Sequence, residues 1–90
     1  MNEQAIFEEV RRIIVEVKSE VSPVDPNSIK PESELASNLM MDSIDFVRMI
    51  IGIEEAFHII AQDNDFLAAT MQTVGDVVQV VSERLKSPEG

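Results

Sequence analysis

The chain has no cysteine, no tryptophan and no tyrosine, and only three glycines in ninety residues. Without cysteine there is no disulfide to staple a small domain and no thiolate to bind a metal. Thiol chemistry would need an added group. Aromatic content is limited to four Phe, so Ile, Val, Leu and Met must build the core. No apolar run comes near the roughly 20 residues that cross a bilayer. The opening stretch MNEQAIFEEV is acidic where a secretory leader is basic, so a cytoplasmic location is expected. Cations are scarce too. From Pro31 to Glu83 the only Lys or Arg is Arg48, against ten Asp and Glu.

What the chain does have is negative charge. Seven basic against seventeen acidic side chains give a formal net charge of −10. Such a surface repels nucleic-acid backbone and anionic lipid and attracts basic patches on proteins. Neither nucleic acid nor membrane is an expected partner. The charge also serves plain solubility, and a monomer is expected. Residues 1–90 read as a single domain without internal repeat or linker. A domain of this size buries little more than half of its unfolded surface, so modest stability is expected.

Three stretches carry helical periodicity. Ile6, Phe7, Val10, Ile13, Ile14, Val17 and Val21 recur with the spacing of a helix from Glu3. Asn2 can cap it, and Pro23 stops it near Ser19 to Val21. The next stretch, SPVDPNSIKPESELASN, holds three prolines and reads as a long loop. Ile29, Leu35 and Leu39 are its candidate anchors to the core, and KPESEL is a candidate helical turn. A second helix is expected from Ser43 to Phe57, with Asp42 or Ser43 as cap and Asp45 in the first turn. Asp63 or Asn64 can start a short helix through Phe66 to Met71. Thr73 caps a last helix carrying Val74, Val77, Val78, Val81 and Leu85, with Asp76 at the capping-box position. The expected fold is all-α: a small bundle of three longer helices and one short one, with a long loop between the first two. Residues 86–90 are expected to fray.

The second helix has two apolar faces. At about 100° per residue, Phe46, Met49, Ile50, Ile53, Ala56 and Phe57 share one side, the core stripe. Ile44, Val47 and Ile51 lie opposite, beside Glu54, Glu55 and His58 with Arg48 close by. A surface helix ordinarily has one apolar stripe and a polar back. Either this helix is packed on both sides, or the second stripe docks another protein.

Between these features sits NLMMDSIDFVRMI, with Ser43 between two carboxylates. Locally, Ser43 reads as a helix cap or its neighbour. As a nucleophile it has no base: the sole histidine, His58, lies four turns along the same helix, roughly 20 Å away. A helix amino terminus does favour a phosphate, through its free N–H groups and dipole.

MDSIDFV resembles the Asp-Ser-Leu/Ile core of acyl carrier proteins, whose serine carries 4′-phosphopantetheine. Ile29, Leu35 and Leu39 stand at the distances of that family's loop anchors. IEEAF, from Ile53 to Phe57, is similar to its Leu/Ile-Glu-Glu-x-Phe. TVGDVVQVV resembles the start of its last helix. The likeness runs from about Ile6 to Leu85. It implies Ser43 as the attachment point and Asp42 as the acid before it, with a phosphopantetheinyl transferase using coenzyme A and a divalent metal to load the arm. It implies a carrier, not an enzyme, with no catalytic residue and no resident metal. Ile44, Asp45, Val47, Arg48, Ile51, Glu54 and Glu55, together with Asp42, would form the face read by loading and condensing enzymes with basic docking patches. Met49, Ile53, Phe57, Ala68, Ala69 and Met71 would line a space for the acyl chain, although Met and Ala at this spacing also suit plain core.

Some residues depart from the family pattern. Met40-Met41 stands where Gly-Ala or Gly-x is common, and Arg48 where an acid is usual. His58-Ile59-Ile60 replaces a more acidic segment, and 57–74 is about two residues longer than usual. These changes point to a specialised carrier for fatty acid, polyketide or related lipid synthesis, not the housekeeping one. Two other readings stand beside it: an aminoacyl, peptidyl or D-alanyl carrier, and an unmodified acidic interaction domain. Asp63-Asn64-Asp65 lacks the glycine and distant glutamate of a calcium loop, and His58 alone makes no metal site.

Overall fold

A computed structural model describes residues 2–19, 23–59 and 71–86. Three helices account for most of them: α1 (Glu3–Lys18), α2 (Ser43–Phe57) and α3 (Val74–Lys86). A single 3-10 turn, Pro26–Ser28, interrupts the long loop. There is no strand among the described residues, only an isolated antiparallel bridge between Glu34 and Thr73. The all-α expectation holds. The short helix expected from Phe66 to Met71, with its Asp63 or Asn64 cap, lies almost wholly outside the described residues. So do tail residues 87–90.

Each helix starts where a side chain can take up its free amide hydrogens. Asn2 Oδ1 accepts from the Ala5 N–H at 2.8 Å. At α3, Thr73 Oγ1 accepts from the Asp76 N–H, and Asp76 Oδ2 accepts from the Thr73 and Gln72 N–H groups. That reciprocal pair satisfies donors that would otherwise be orphaned. These bonds hold the Asp76 carboxyl below its ordinary pKa, the Gln72 N–H contributing most. At the other end of α2, His58 takes a left-handed conformation (φ 55°, ψ 46°) and closes the helix by donating its N–H to the Glu54 carbonyl.

The core explains why the loop needs its anchors. Ile6, Val10, Ile13 and Ile14 of α1 are buried against Met49 and Ile53 of α2 and Val74, Val77 and Val81 of α3. Helix α1 packs on both other helices. Ile29, Leu35 and Leu39 join the same cluster, each at most 5% exposed. Burial of such side chains contributes roughly 1.5–3 kcal/mol each, enough to hold an irregular segment down. Backbone bonds add to this. Leu35 N–H donates to the Gln72 carbonyl, Val74 N–H to Ser33 and Gly75 N–H to Pro31. The loop thus becomes a strap laid along the entry to α3. KPESEL is not helical: its hydrogen-bonded turn is Ser33 N–H to the Lys30 carbonyl, and the 3-10 turn falls earlier, where Asp25 caps Pro26–Ser28.

Candidate functional site

The site grows from the amino terminus of α2. Asp42 is the cap: its Oδ1 accepts the Asp45 N–H at 2.8 Å, while Asp45 Oδ2 reaches back to the Asp42 N–H at 3.4 Å. Capping therefore falls to the two aspartates. Ser43 is left as the first helical residue, exposed, its hydroxyl without a hydrogen-bond partner among the described residues. Of the two local readings of that serine, cap and cap neighbour, the geometry selects the second. The hydroxyl is free for chemistry, and the first amides of α2 lie beside it with the positive end of the helix dipole.

The backbone leading to Ser43 is held on alternate sides. Leu39 and Met41 are buried while Met40 between them is exposed and left-handed (φ 52°). Met41 N–H donates to the Leu35 carbonyl at 2.9 Å. Beneath this segment lies Lys18, from the last turn of α1 and only 4% exposed. Its ammonium donates to the Met40 carbonyl and to Asp45 Oδ2, both at 3.0 Å. The Lys18 bond holds the Asp45 carboxyl below its ordinary pKa, helped by the Asp42 N–H and by the charges of Lys18 and Arg48. Asp45 was expected on the outward face. Its carboxylate is instead turned into this internal pair, with 14% of its side chain exposed. Sequence reading missed Lys18. The signal was there: Ile6, Val10, Ile14 and Lys18 recur every fourth residue, so the core stripe of α1 ends on a lysine.

Along α2 the two expected faces separate cleanly. Met49, Ile53 and Phe57 are buried, and Phe46, Ile50 and Ala56 are partly buried. Ile44, Val47 and Ile51 are exposed at 63%, 54% and 48%. The second stripe is therefore not packed away, and among the described helices it is α1 that packs on two others. Arg48 and Glu55 are exposed near the stripe and Glu54 is half-buried. Arg48, Ile51 and Glu55 also border a groove of about 270 Å³ shared with Glu16 of α1.

A mostly apolar cavity of about 370 Å³ opens directly beside the serine, lined by Leu35, Met41, Ser43, Phe46, Val47 and Met71. Of the side chains expected to line an acyl space, Met71 borders this cavity. Met49 and Ile53 are fully buried in the core, Phe57 nearly so, and Ala68 and Ala69 lie outside the described residues. Met41 and Phe46 were not anticipated as lining. No metal-holding cluster of His, Cys, Asp or Glu occurs among the described residues. None of the described helices is long and apolar enough to cross a membrane.

The mouth of α2 thus brings together a free hydroxyl, an apolar recess beside it and an acidic, partly apolar flank. Residues 12–81 match the family model described as "Phosphopantetheine attachment site". The chain is also similar to the acyl carrier protein of Picosynechococcus sp., 36% identical over 81 residues that cover 90% of this chain and 93% of that relative. The chain belongs to the acyl carrier protein family, whose members are carriers rather than catalysts and hold 4′-phosphopantetheine covalently. The residues at the mouth of α2 fit that group: an unbonded hydroxyl to esterify, free amides for its phosphate and an apolar recess at its root.

Proposed function

We propose that Ser43 is the attachment point and that the protein presents acyl groups to the enzymes of a lipid- or polyketide-type synthesis. The observation that carries this reading is the exposed Ser43 hydroxyl, free because Asp42 does the capping. In the loading step Ser43 Oγ bonds to the phosphorus that bears pantetheine. The diphosphate P–O bond of coenzyme A breaks, adenosine 3′,5′-bisphosphate leaves and the hydroxyl proton passes to a base of the transferase. A histidine base would have to come from the transferase, because the chain's sole histidine, His58, caps the far end of α2. The amides of the first turn then face the phosphodiester and favour its charge. Once attached, the arm supplies a terminal thiol on which acyl groups ride as thioesters, which this cysteine-free chain lacks by itself.

Partner enzymes with basic docking patches read the stripe of Ile44, Val47 and Ile51 with its acidic neighbours Asp42, Glu54 and Glu55. Apolar contact supplies the centre of such an interface and charge sets encounter rate and salt sensitivity. Arg48, a cation within that face, and the Met40-Met41 pair before the serine support a partner set other than the housekeeping one. The recess at Leu35, Phe46 and Met71 shelters the first part of the cargo. The test is direct. The protein is incubated with coenzyme A and a broad-range phosphopantetheinyl transferase, then weighed. One covalent addition, absent in Ser43→Ala, supports the assignment. No addition under conditions that load a control carrier overturns it and leaves an unmodified acidic interaction domain. Incubation of the loaded protein with acyl- and aminoacyl-loading enzymes separates the lipid-type cargo from an amino acid.

A further inference from the structure

Lys18 is out of place energetically. It sits on the core stripe of α1, 4% exposed, with Ile14 one turn before it. Removing an ammonium and a carboxylate from water is costly, and an apolar side chain of similar volume commonly holds such a position as well or better. Bulk stability is therefore a weak reason for a lysine here. What a methionine or leucine could not do is donate hydrogen bonds, and both bonds of Lys18 go to the segment around Ser43.

The ammonium touches that segment on both sides of the serine. One bond goes to the carbonyl of Met40, three residues before Ser43, and one to Asp45, two residues after it, each at 3.0 Å. Met40 is left-handed without being glycine, a strained conformation that persists only where its surroundings impose it. The Lys18 bond is one such imposition, since it fixes where the Met40 carbonyl points. Asp45 in turn exchanges capping bonds with Asp42. A single cation thus ties the approach to α2, its cap and its first turn to the end of α1.

We infer that Lys18 is a positioning residue: through the Met40 carbonyl and the Asp45 carboxylate it holds the backbone on either side of Ser43 so that the hydroxyl meets a transferase in one orientation. This rests on Ser43 as the attachment point. Val47 and Ile51, the greater part of the docking stripe, lie beyond the braced segment from Met40 to Asp45, so the two should separate in kinetics. Lys18→Met keeps the volume and removes both bonds. Loading from coenzyme A by a broad-range transferase should keep its KM for the protein and lose kcat by about tenfold, since small misplacements of a reacting atom cost that much or more. Amide exchange, followed by NMR on the unloaded protein, should speed up at Met41 and Asp45 while Ile53 in the middle of α2 stays as in the wild type. A kcat within twofold of wild type, or unchanged exchange at Met41 and Asp45, overturns the inference and makes Lys18 a filler of the core. If Lys18→Met does not fold, Asp45→Asn is measured in the same way, and an unchanged kcat there overturns it equally. If the wild type takes no arm, or Ser43→Ala still does, the attachment reading fails instead. The exchange measurement then still decides whether Lys18 braces the segment.

Discussion

Replacing Gly52 by alanine sets two effects of similar size against each other. In the interior of a helix, glycine to alanine stabilises by about 0.5–1 kcal/mol, because the unfolded chain loses freedom it would otherwise regain. Here a Cβ at position 52 would lie 2.9 Å from Cγ2 of Ile13. Carbon atoms prefer roughly 3.5–4.0 Å, so α1 and α2 must separate or Ile13 must leave its rotamer. Ile13 is buried and its Cγ2 branches directly off Cβ, which leaves it little room to yield. Overpacking of this kind costs about 1–3 kcal/mol. The steric cost wins, and Gly52→Ala should destabilise by about 1 kcal/mol net, lowering Tm by about 4–8 °C for a domain of this size. Thermal and urea unfolding followed by circular dichroism would measure it. The same substitution made on an Ile13→Ala background should change sign and stabilise by about 0.5–1 kcal/mol, because only the backbone term survives. An alanine at 52 that stabilises the wild-type chain, or destabilises both backgrounds equally, would refute the close approach of α1 and α2 as its cause.

Asp42→Ala removes the cap of α2 and should cost about 0.5–2 kcal/mol in urea unfolding. An unchanged midpoint would mean the capping box is idle. His58→Gly frees the left-handed cap of α2 from its Cβ clash and should stabilise by about 1 kcal/mol; a loss of stability in the same assay would contradict this. Asp45 and Asp76 have folded pKa values below their ordinary ones, by the Lys18 bond and the Gln72 N–H respectively. Each therefore contributes stability that is complete above the ordinary aspartate range and lost as pH falls below about 4 towards the lowered values. Urea midpoints between pH 6 and pH 2 should fall over that window, less steeply in Asp45→Asn, and an identical slope in that variant would remove Asp45 from the account. Val47→Glu places a charge in the middle of the exposed stripe. It should raise the KM of loading several-fold while leaving Tm within about 2 °C, as for an exposed substitution; an unchanged KM would take Val47 out of the transferase contact.

Much of the scaffold was legible because it is marked by local chemistry. Asn2, Asp42 and Thr73 announce their helices by the oxygen each can lend to a free amide, and all three do so. Ile29, Leu35 and Leu39 stood out as isolated aliphatic residues in a polar, proline-rich loop, and burial is the only use such side chains have there. The doubled stripe of α2 followed from periodicity alone. What escaped has the opposite character. Whether Asp42 or Ser43 caps α2 depends on which oxygen reaches the third amide, a matter of backbone angle. Met40 turns left-handed without the glycine or asparagine that usually signals it. Lys18 was passed over because a period sought in apolar residues does not look for a charge at its end, and its partners lie 22 and 27 residues away. The recess beside Ser43 escaped for a related reason: helix spacing reveals which side chains face inward but not where they fail to meet.

The placement of apolar surface on α2 is itself an argument about use. Ile44, Val47 and Ile51 stay in water although α1 is adjacent and already buries the opposite face. Covering side chains of this kind is worth roughly 1.5–3 kcal/mol apiece, so a chain selected for stability alone has little reason to leave three on one flank. All three lie in the first nine residues of the helix that begins with Ser43. At about 1.5 Å per residue, the far end of the stripe is roughly 12 Å from the serine along the axis. Any protein that covers this stripe therefore sits within one helix-diameter or so of the hydroxyl, and the Lys18 brace, which reaches Asp45, overlaps the start of the stripe at Ile44. A partner docked on the stripe and a modification of Ser43 would share one short, stiffened piece of backbone, so a change that loosens its root should disturb the chemistry before it disturbs the docking.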